Sequence, residues 1–107
     1  MASGKLGAIN PSAITLTTLY TAPANTFSVV TINIINTGGS STTLDISLVD
    51  SAASTPALQD YIERNLSLEG STVYEKTGVV LANGQTLKIY TTSDDLACMA
   101  YGIETEV

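Results

Sequence analysis

Asp94 and Asp95 are the one adjacent acid pair in this 107-residue chain. In an extended strand their side chains diverge, whereas in a turn both can face a calcium ion. An oxygen cage for calcium takes about 6–8 ligands, and with two in view the pair reads as a solvated turn before the last strand. Glu104 and Glu106, two residues apart, share one face of a strand and so form the other carboxylate pair; their place at the end of the sequence reads as a solvated tail. Cys98 alternates with apolar neighbours and has no histidine to activate it, which makes it a buried small hydrophobe rather than a nucleophile. Asn65-Leu66-Ser67 matches a glycosylation sequon by composition. Gly38-Gly39 offers backbone N–H groups to an anion, but it joins two strands instead of opening a helix.

These candidates leave catalysis without a base. There is no histidine, no serine lies in a Gly-x-Ser-x-Gly elbow, and one cysteine without histidine builds neither an internal disulfide nor a zinc site. The reading is therefore no enzyme, with no catalytic, cofactor-binding or metal residues and no cofactor. Ten acids stand against Lys5, Arg64, Lys76 and Lys88, a formal charge of -6. Four scattered bases cannot neutralise a run of phosphates, so nucleic acid is not an expected partner. No stretch of about 18 apolar residues is present to span a membrane, and residues 1–9 lack the apolar run of a secretory signal. The expectation is a protein made and used without secretion through a membrane that binds neither nucleic acid nor membrane.

The elements that carry these residues read as strands. Residues 14–20 alternate Ile14, Leu16 and Tyr20 against Thr15, Thr17 and Leu19, and Pro23 then breaks the pattern. Residues 26–36 carry two apolar phases, Phe27 and Val29 on one side and Val30, Ile32 and Ile34 on the other. Either a bulge near Val29-Val30 shifts the register, or the strand is covered on both faces, with Phe27, Val29 and Ile35 against another layer or subunit. The Gly38-Gly39 turn leads into clean alternation through Leu44, Ile46 and Leu48, which reads as a hairpin with the preceding strand. Thr55 before Pro56 is placed to cap one helical turn ending at Asp60.

Ile62, Leu66 and Leu68 share a parity with Arg64, a strand that needs an edge or a partner for its charge. Gly70-Ser71 turns the chain into residues 72–76, and residues 78–82 and 85–91 flank Asn83-Gly84, the dipeptide best suited to a two-residue type I′ hairpin. In the last strand Leu96, Cys98 and Ala100 alternate with Ala97, Met99, Tyr101 and Ile103. Apolar groups on both faces place it in the middle of a sheet or at a subunit contact. About seven to eight short strands with little helical periodicity predict one all-β domain, an antiparallel β-sandwich of jelly-roll or Ig-like type. Its span is residues 14–107, preceded by an N-terminal arm over residues 1–13. The 44% hydrophobic and 13% charged composition, polar mainly through Thr, Ser and Asn, suits contact with other proteins.

Several stretches in order, Leu19-Tyr20-Thr21-Ala22-Pro23-Ala24, the turn at Asn36, Gly78 with Leu81-Ala82-Asn83-Gly84-Gln85, and Tyr101-Gly102-Ile103-Glu104, resemble small β-sandwich structural proteins of tailed bacteriophage virions. The resemblance runs from Ile14 onward and departs at residues 60–68, where Arg64 and Asn65 stand. It implies a non-enzymatic protein present in many copies, either a capsid decoration (cement) protein on the outer shell or a tail, neck or fibre component. The expected partners are the major capsid protein or other virion proteins and further copies of the chain, with a trimer favoured. A carbohydrate-binding module is the reading from another class. It wants an exposed aromatic platform, yet Trp is absent and the five tyrosines, Tyr20, Tyr61, Tyr74, Tyr90 and Tyr101, are dispersed.

Overall fold

The computed structural model describes residues 3–106. Met1 and Ala2 of the expected arm, and Val107 of the expected sandwich span, lie outside the described residues. Alternation decides the central strand: along β3 (Thr26–Asn36), Thr26, Ser28, Val30, Ile32, Ile34 and Asn36 are buried, while the residues between them face outward. The other strands are β1 (Ser3–Ile9), β2 (Thr17–Thr21), β4 (Thr42–Val49), β5 (Tyr61–Leu68), β6 (Val73–Leu81), β7 (Thr86–Thr91) and β8 (Leu96–Glu106). One sheet, here sheet A, has the order β1-β8-β3-β6, and the second, sheet B, has β2-β7-β4-β5, all pairs antiparallel. Strand 1 pairs with 8, 2 with 7, 3 with 6 and 4 with 5, the wrapping of one long antiparallel ribbon. That order makes the sandwich a jelly roll, the first of the two expected types.

Between the sheets Val30, Ile32 and Ile34 of β3, Leu81 of β6 and Leu96 and Ala100 of β8 meet Leu44 and Ile46 of β4 and Leu87 and Ile89 of β7. Burying a side chain of this size contributes about 1.5–3 kcal/mol, and this core is what holds a chain whose single cysteine is free. Polar groups inside are paired. The Asn36 amide donates to the carbonyls of Ser40 (2.8 Å) and Leu68 (3.0 Å), and its oxygen accepts from the Gly38 N–H (3.0 Å). Two tyrosines bridge the sheets: Tyr20 of β2 donates to Glu104 of β8 (2.5 Å), and Tyr74 of β6 donates to Glu63 of β5 (2.9 Å).

Several expectations change, for one topological reason. The turns after β3 and after β6 pass from one sheet to the other, so neither the Gly38-Gly39 nor the Asn83-Gly84 segment closes a hairpin. Asn83-Gly84 does turn tightly, with Gln85 N–H donating to the Ala82 carbonyl (3.0 Å). Positive φ occurs at Gly84 (+78°) and not at Asn83, the pattern of a type II turn instead of type I′. Residues 3–9, expected within an arm, form the edge strand β1 because Leu6 and Ile9 pack onto the core and the backbone pairs with β8. The strand expected from residue 14 begins at Thr17; Ile14 adopts φ +56° and is exposed. An extra residue at Leu19 then sends both Leu19 and Tyr20 inward. The expected helical turn is a 3-10 turn, Leu58–Asp60, held by the Asp60 carboxylate accepting from Ala57 N–H (2.8 Å) and not by Thr55. Arg64 lies on the edge strand β5, as its charge requires, stacked over the Tyr61 ring at 4.8 Å.

The register also explains one glycine. Gly102 of β8 pairs with Val30 of β3 at φ +156°, and a Cβ there would run into the Val29 carbonyl. Gly102→Ala is expected to lower stability by about 1–3 kcal/mol through that strain, measured by urea unfolding against wild type.

The bridges set an alkaline limit. Burial, and then the Glu104 carboxylate beside it, push Tyr20 up to about 12; burial and then Glu63 do the same for Tyr74, again to about 12. Burial alone pushes the Cys98 thiol up to about 12. In the unfolded chain these groups ionise near their ordinary values, so the stability they hold is complete below about pH 9. It is lost as pH rises from there to about 12. Unfolding free energy measured across this range should fall steadily. Tyr20→Phe should reduce the steepness above pH ~10 and cost about 1–3 kcal/mol at neutral pH, because buried Ser28 loses its hydroxyl partner at 2.6 Å.

Candidate functional site: the outer face of sheet A

The residues singled out for chemistry do not converge. Asp94 is exposed and Asp95 half-buried; the Asp95 carbonyl accepts from Thr37 N–H (2.9 Å) and Oγ1 (2.6 Å), fixing the turn before β8. Glu104 points between the sheets to Tyr20 while Glu106 is exposed, so the two serve different surroundings despite their shared parity. Cys98 is buried in the core with its thiol held protonated. Asn65 sits at φ +56° in a bulge of β5, its N–H donating to Asp45 Oδ1 (2.7 Å), and Gly38 packs against the Asp95 side chain. Among the described residues no three acidic or cysteine side chains lie close enough to hold a metal ion.

What the fold does bring together is apolar surface. Of nine large apolar side chains left exposed among the described residues, six lie on the outer face of sheet A: Phe27, Ile35, Val73, Val80, Met99 and Ile103. The register arranges them in rows. Val80, Val29 and Ile103 cross β6, β3 and β8 at one level, and Val73, Ile35 and Ala97 cross at another. Between those rows lie Glu75, Asn33 and Met99, then Thr31, Tyr101 and Lys5. Tyr101 donates to Glu75 Oε2 (3.0 Å) across β3, and that carboxylate raises the tyrosine's pKa. Next to Asn33 and Met99 the face dips into a groove of about 290 Å³, bordered by Ala8, Ile35 and Ala97.

Sheet B is finished differently on its outside. Ser47, Val49, Thr86 and Lys88 point outward there and are nonetheless buried. The connection between β4 and β5 folds back over them, and Lys88 Nζ donates to the Ala52 carbonyl (2.7 Å) to hold it. One face is closed by the chain's own loop, and the other is open.

Edges offer little for association. Every outer strand carries a register shift: at Leu6 in β1, at Leu19 in β2, before Gly78 in β6 and twice in β5. The interior ladders β3–β8 and β4–β7 carry none. Bulges twist an edge and break the row of free backbone groups that a further strand would pair with. Contact through the open face is thus the route this architecture favours.

For β3, neither expected explanation accounts for its two apolar phases within the chain: a register shift does lie next to Val30, but in the ladder with β6 and with the extra residue in β6, so alternation along β3 is unbroken. Its register with β8 is continuous through Val29-Val30, and Phe27 and Ile35 are exposed, not covered by a second layer. The double phase of β8 does place it between β1 and β3. Val80 was hidden from sequence reading because Val79-Val80-Leu81 is an unbroken apolar run with no visible parity. The residues read as two short segments are one strand, β6, bulged at Gly78 (φ +70°).

Comparison of the chain with protein-family models, with curated proteins and with solved structures returns no match.

An open apolar face of this kind takes up an environment-sensitive dye. The wild type is expected to give dye fluorescence in its folded state that Ile103→Asp strongly reduces. Since Ile103 is about half exposed (53%), its melting temperature should move little.

Proposed function

We propose that the chain is a non-enzymatic structural protein of a tailed-phage virion, a capsid decoration protein that binds the outer shell and braces the joints between capsomers. The observation that carries this reading is the open apolar face of sheet A on a domain whose edges are blunted and whose Glu63, Glu104 and Cys98 side chains serve the fold. The ordered resemblance of the sequence from Ile14 onward to such virion proteins supplies the particle. The jelly roll is compatible with it by analogy, since viral capsid domains use this architecture, as do lectins and cupins.

In this role no single contact has to be strong. A subunit that occurs at many equivalent positions on a fixed lattice gains resistance for the whole shell from weak, repeated joints. The proposed partners are the major capsid protein and further copies of the chain, and the proposed location is the outside of the head. A tail, neck or fibre position is the alternative within the same class, using the same face against a different ring of subunits.

Particles assembled without this protein are expected to lose DNA at a lower temperature than wild-type particles, and added purified protein should restore the difference. Electron microscopy of labelled particles should show it on the head. Label confined to the tail, with unchanged heat resistance of the head, would replace the decoration reading by the tail reading. Absence from purified particles would overturn both.

A further inference from the structure

Resting on the reading of sheet A's outer face as a protein contact, we propose that its occupant is a second copy of this chain, packed face to face about a two-fold axis that runs along the strands.

Size is the first argument. β3 and β8 are each eleven residues long. At about 3.3 Å per residue and about 4.8 Å between strands, the four-stranded face projects to about 600–700 Å². A specific, stable interface takes about 800 Å² of accessible surface from each partner, and a corrugated face exposes more than its projection. A copy of the same sheet covers the whole area, with two faces of one curvature packing at the aligned angle usual for sandwiches.

Charge is the second. The chain carries -6 in all, so two copies repel over most of their surfaces. Among the described residues the register puts just two charged side chains, Lys5 and Glu75, on this face, one of each sign. They stand on opposite edge strands, β1 and β6. A two-fold axis along the strands lays β1 of one copy over β6 of the other. Lys5 and Glu75 occupy neighbouring rows, about 7 Å apart along the strand, within reach of an extended lysine, and symmetry makes the pair twice. An axis across the strands would instead lay β1 on β1 and oppose Lys5 to Lys5. With the axis along the strands each row also meets its own copy reversed, so Ile103 lies over the partner's Val29 and Val29 over the partner's Ile103. A surface that complements itself under one rotation is what a closed two-fold interface requires.

The test is sedimentation equilibrium of the purified full chain over a range of concentrations. A monomer–dimer equilibrium is expected, and Ile103→Asp should shift it to monomer while circular dichroism melting stays near wild type. Lys5→Glu and Glu75→Lys should each weaken dimerisation by about tenfold or more through the like charges they oppose. The double reversal Lys5→Glu/Glu75→Lys should recover most of that loss, which no merely structural effect of either change would do. A trimer, or a dimer indifferent to both reversals, overturns the two-fold arrangement. A chain that stays monomeric at every concentration also overturns it. If capsid binding in that case still depends on Ile103, the face belongs to a shell protein and the decoration reading stands without this inference; a chain that dimerises as expected but binds no capsid leaves this inference standing and overturns the decoration reading.

Discussion

The ladder between β3 and β8 is the constraint on which the rest depends: eleven residue pairs, from Thr26 with Glu106 to Asn36 with Leu96, in unbroken antiparallel register. Because side chains alternate strictly along a strand, that register alone decides that Val30, Ile32 and Ile34 enter the core with Cys98 and Ala100. It equally decides that Phe27, Val29 and Ile35 leave it. A slip of one residue would exchange the two sets and carry Ser28 and Asn36 out of their hydrogen bonds. The opposing β4–β7 ladder is equally regular. Two undistorted ladders face each other, and all irregularity is displaced to the strands outside them.

That displacement has a structural use. The sheets of a jelly roll have four free edges, and here each carries a bulge, which in β5 and β6 falls where Asn65 and Gly78 accept positive φ. The bulges do not weaken the core, since the residues that fill it come chiefly from the regular strands. Across the gap between the sheets, Tyr20 with Glu104 and Tyr74 with Glu63 join strands that no backbone bond could join. Each tyrosine buries its ring and delivers its hydroxyl to a half-buried carboxylate, so the sandwich is closed by groups that are neither fully apolar nor fully solvated. Among the described residues no buried side-chain nitrogen or oxygen is left without a partner.

Much of this was legible in the sequence, in a particular way. Strict parity showed where β4 and β8 run; the double phase of β8 left the middle of a sheet or a subunit contact, of which the fold shows the first, and Arg64 left an edge or a partner for its strand, which the fold meets with an edge. Turn chemistry was legible too, since Asn83-Gly84 and Gly38-Gly39 both turn. What a turn cannot reveal is which strand the chain will pair with afterwards. In this topology only β4 and β5 are both consecutive and paired, and they are joined by the long connection rather than a tight turn. Hairpin reasoning therefore located the turns and misassigned the partners. The edge strands were the least legible. A bulge such as that at Leu19 breaks parity, and β1, with Gly4 and Gly7 among seven residues, has little pattern to read.

The open face was half visible for the same reason. Its contributions from β3 and β8 appeared as a second apolar phase, an oddity in a chain with so much acidic charge, whereas Val80 of β6 was masked by a continuous run. In the folded protein the oddity acquires a cause. A sheet solvated on its outer side gains nothing from Phe27, Val29, Ile35 and Ile103 unless something covers them. The contrast with sheet B is the relevant comparison: there Ser47, Val49, Thr86 and Lys88 are covered by the chain's own loop, at the cost of burying a lysine that must be given the Ala52 carbonyl. The same chain thus closes one face internally and leaves the other apolar and nearly neutral. With edges unsuited to strand addition and a net charge that discourages other contacts, the specificity of the proposed contact would rest on exclusion as much as on attraction.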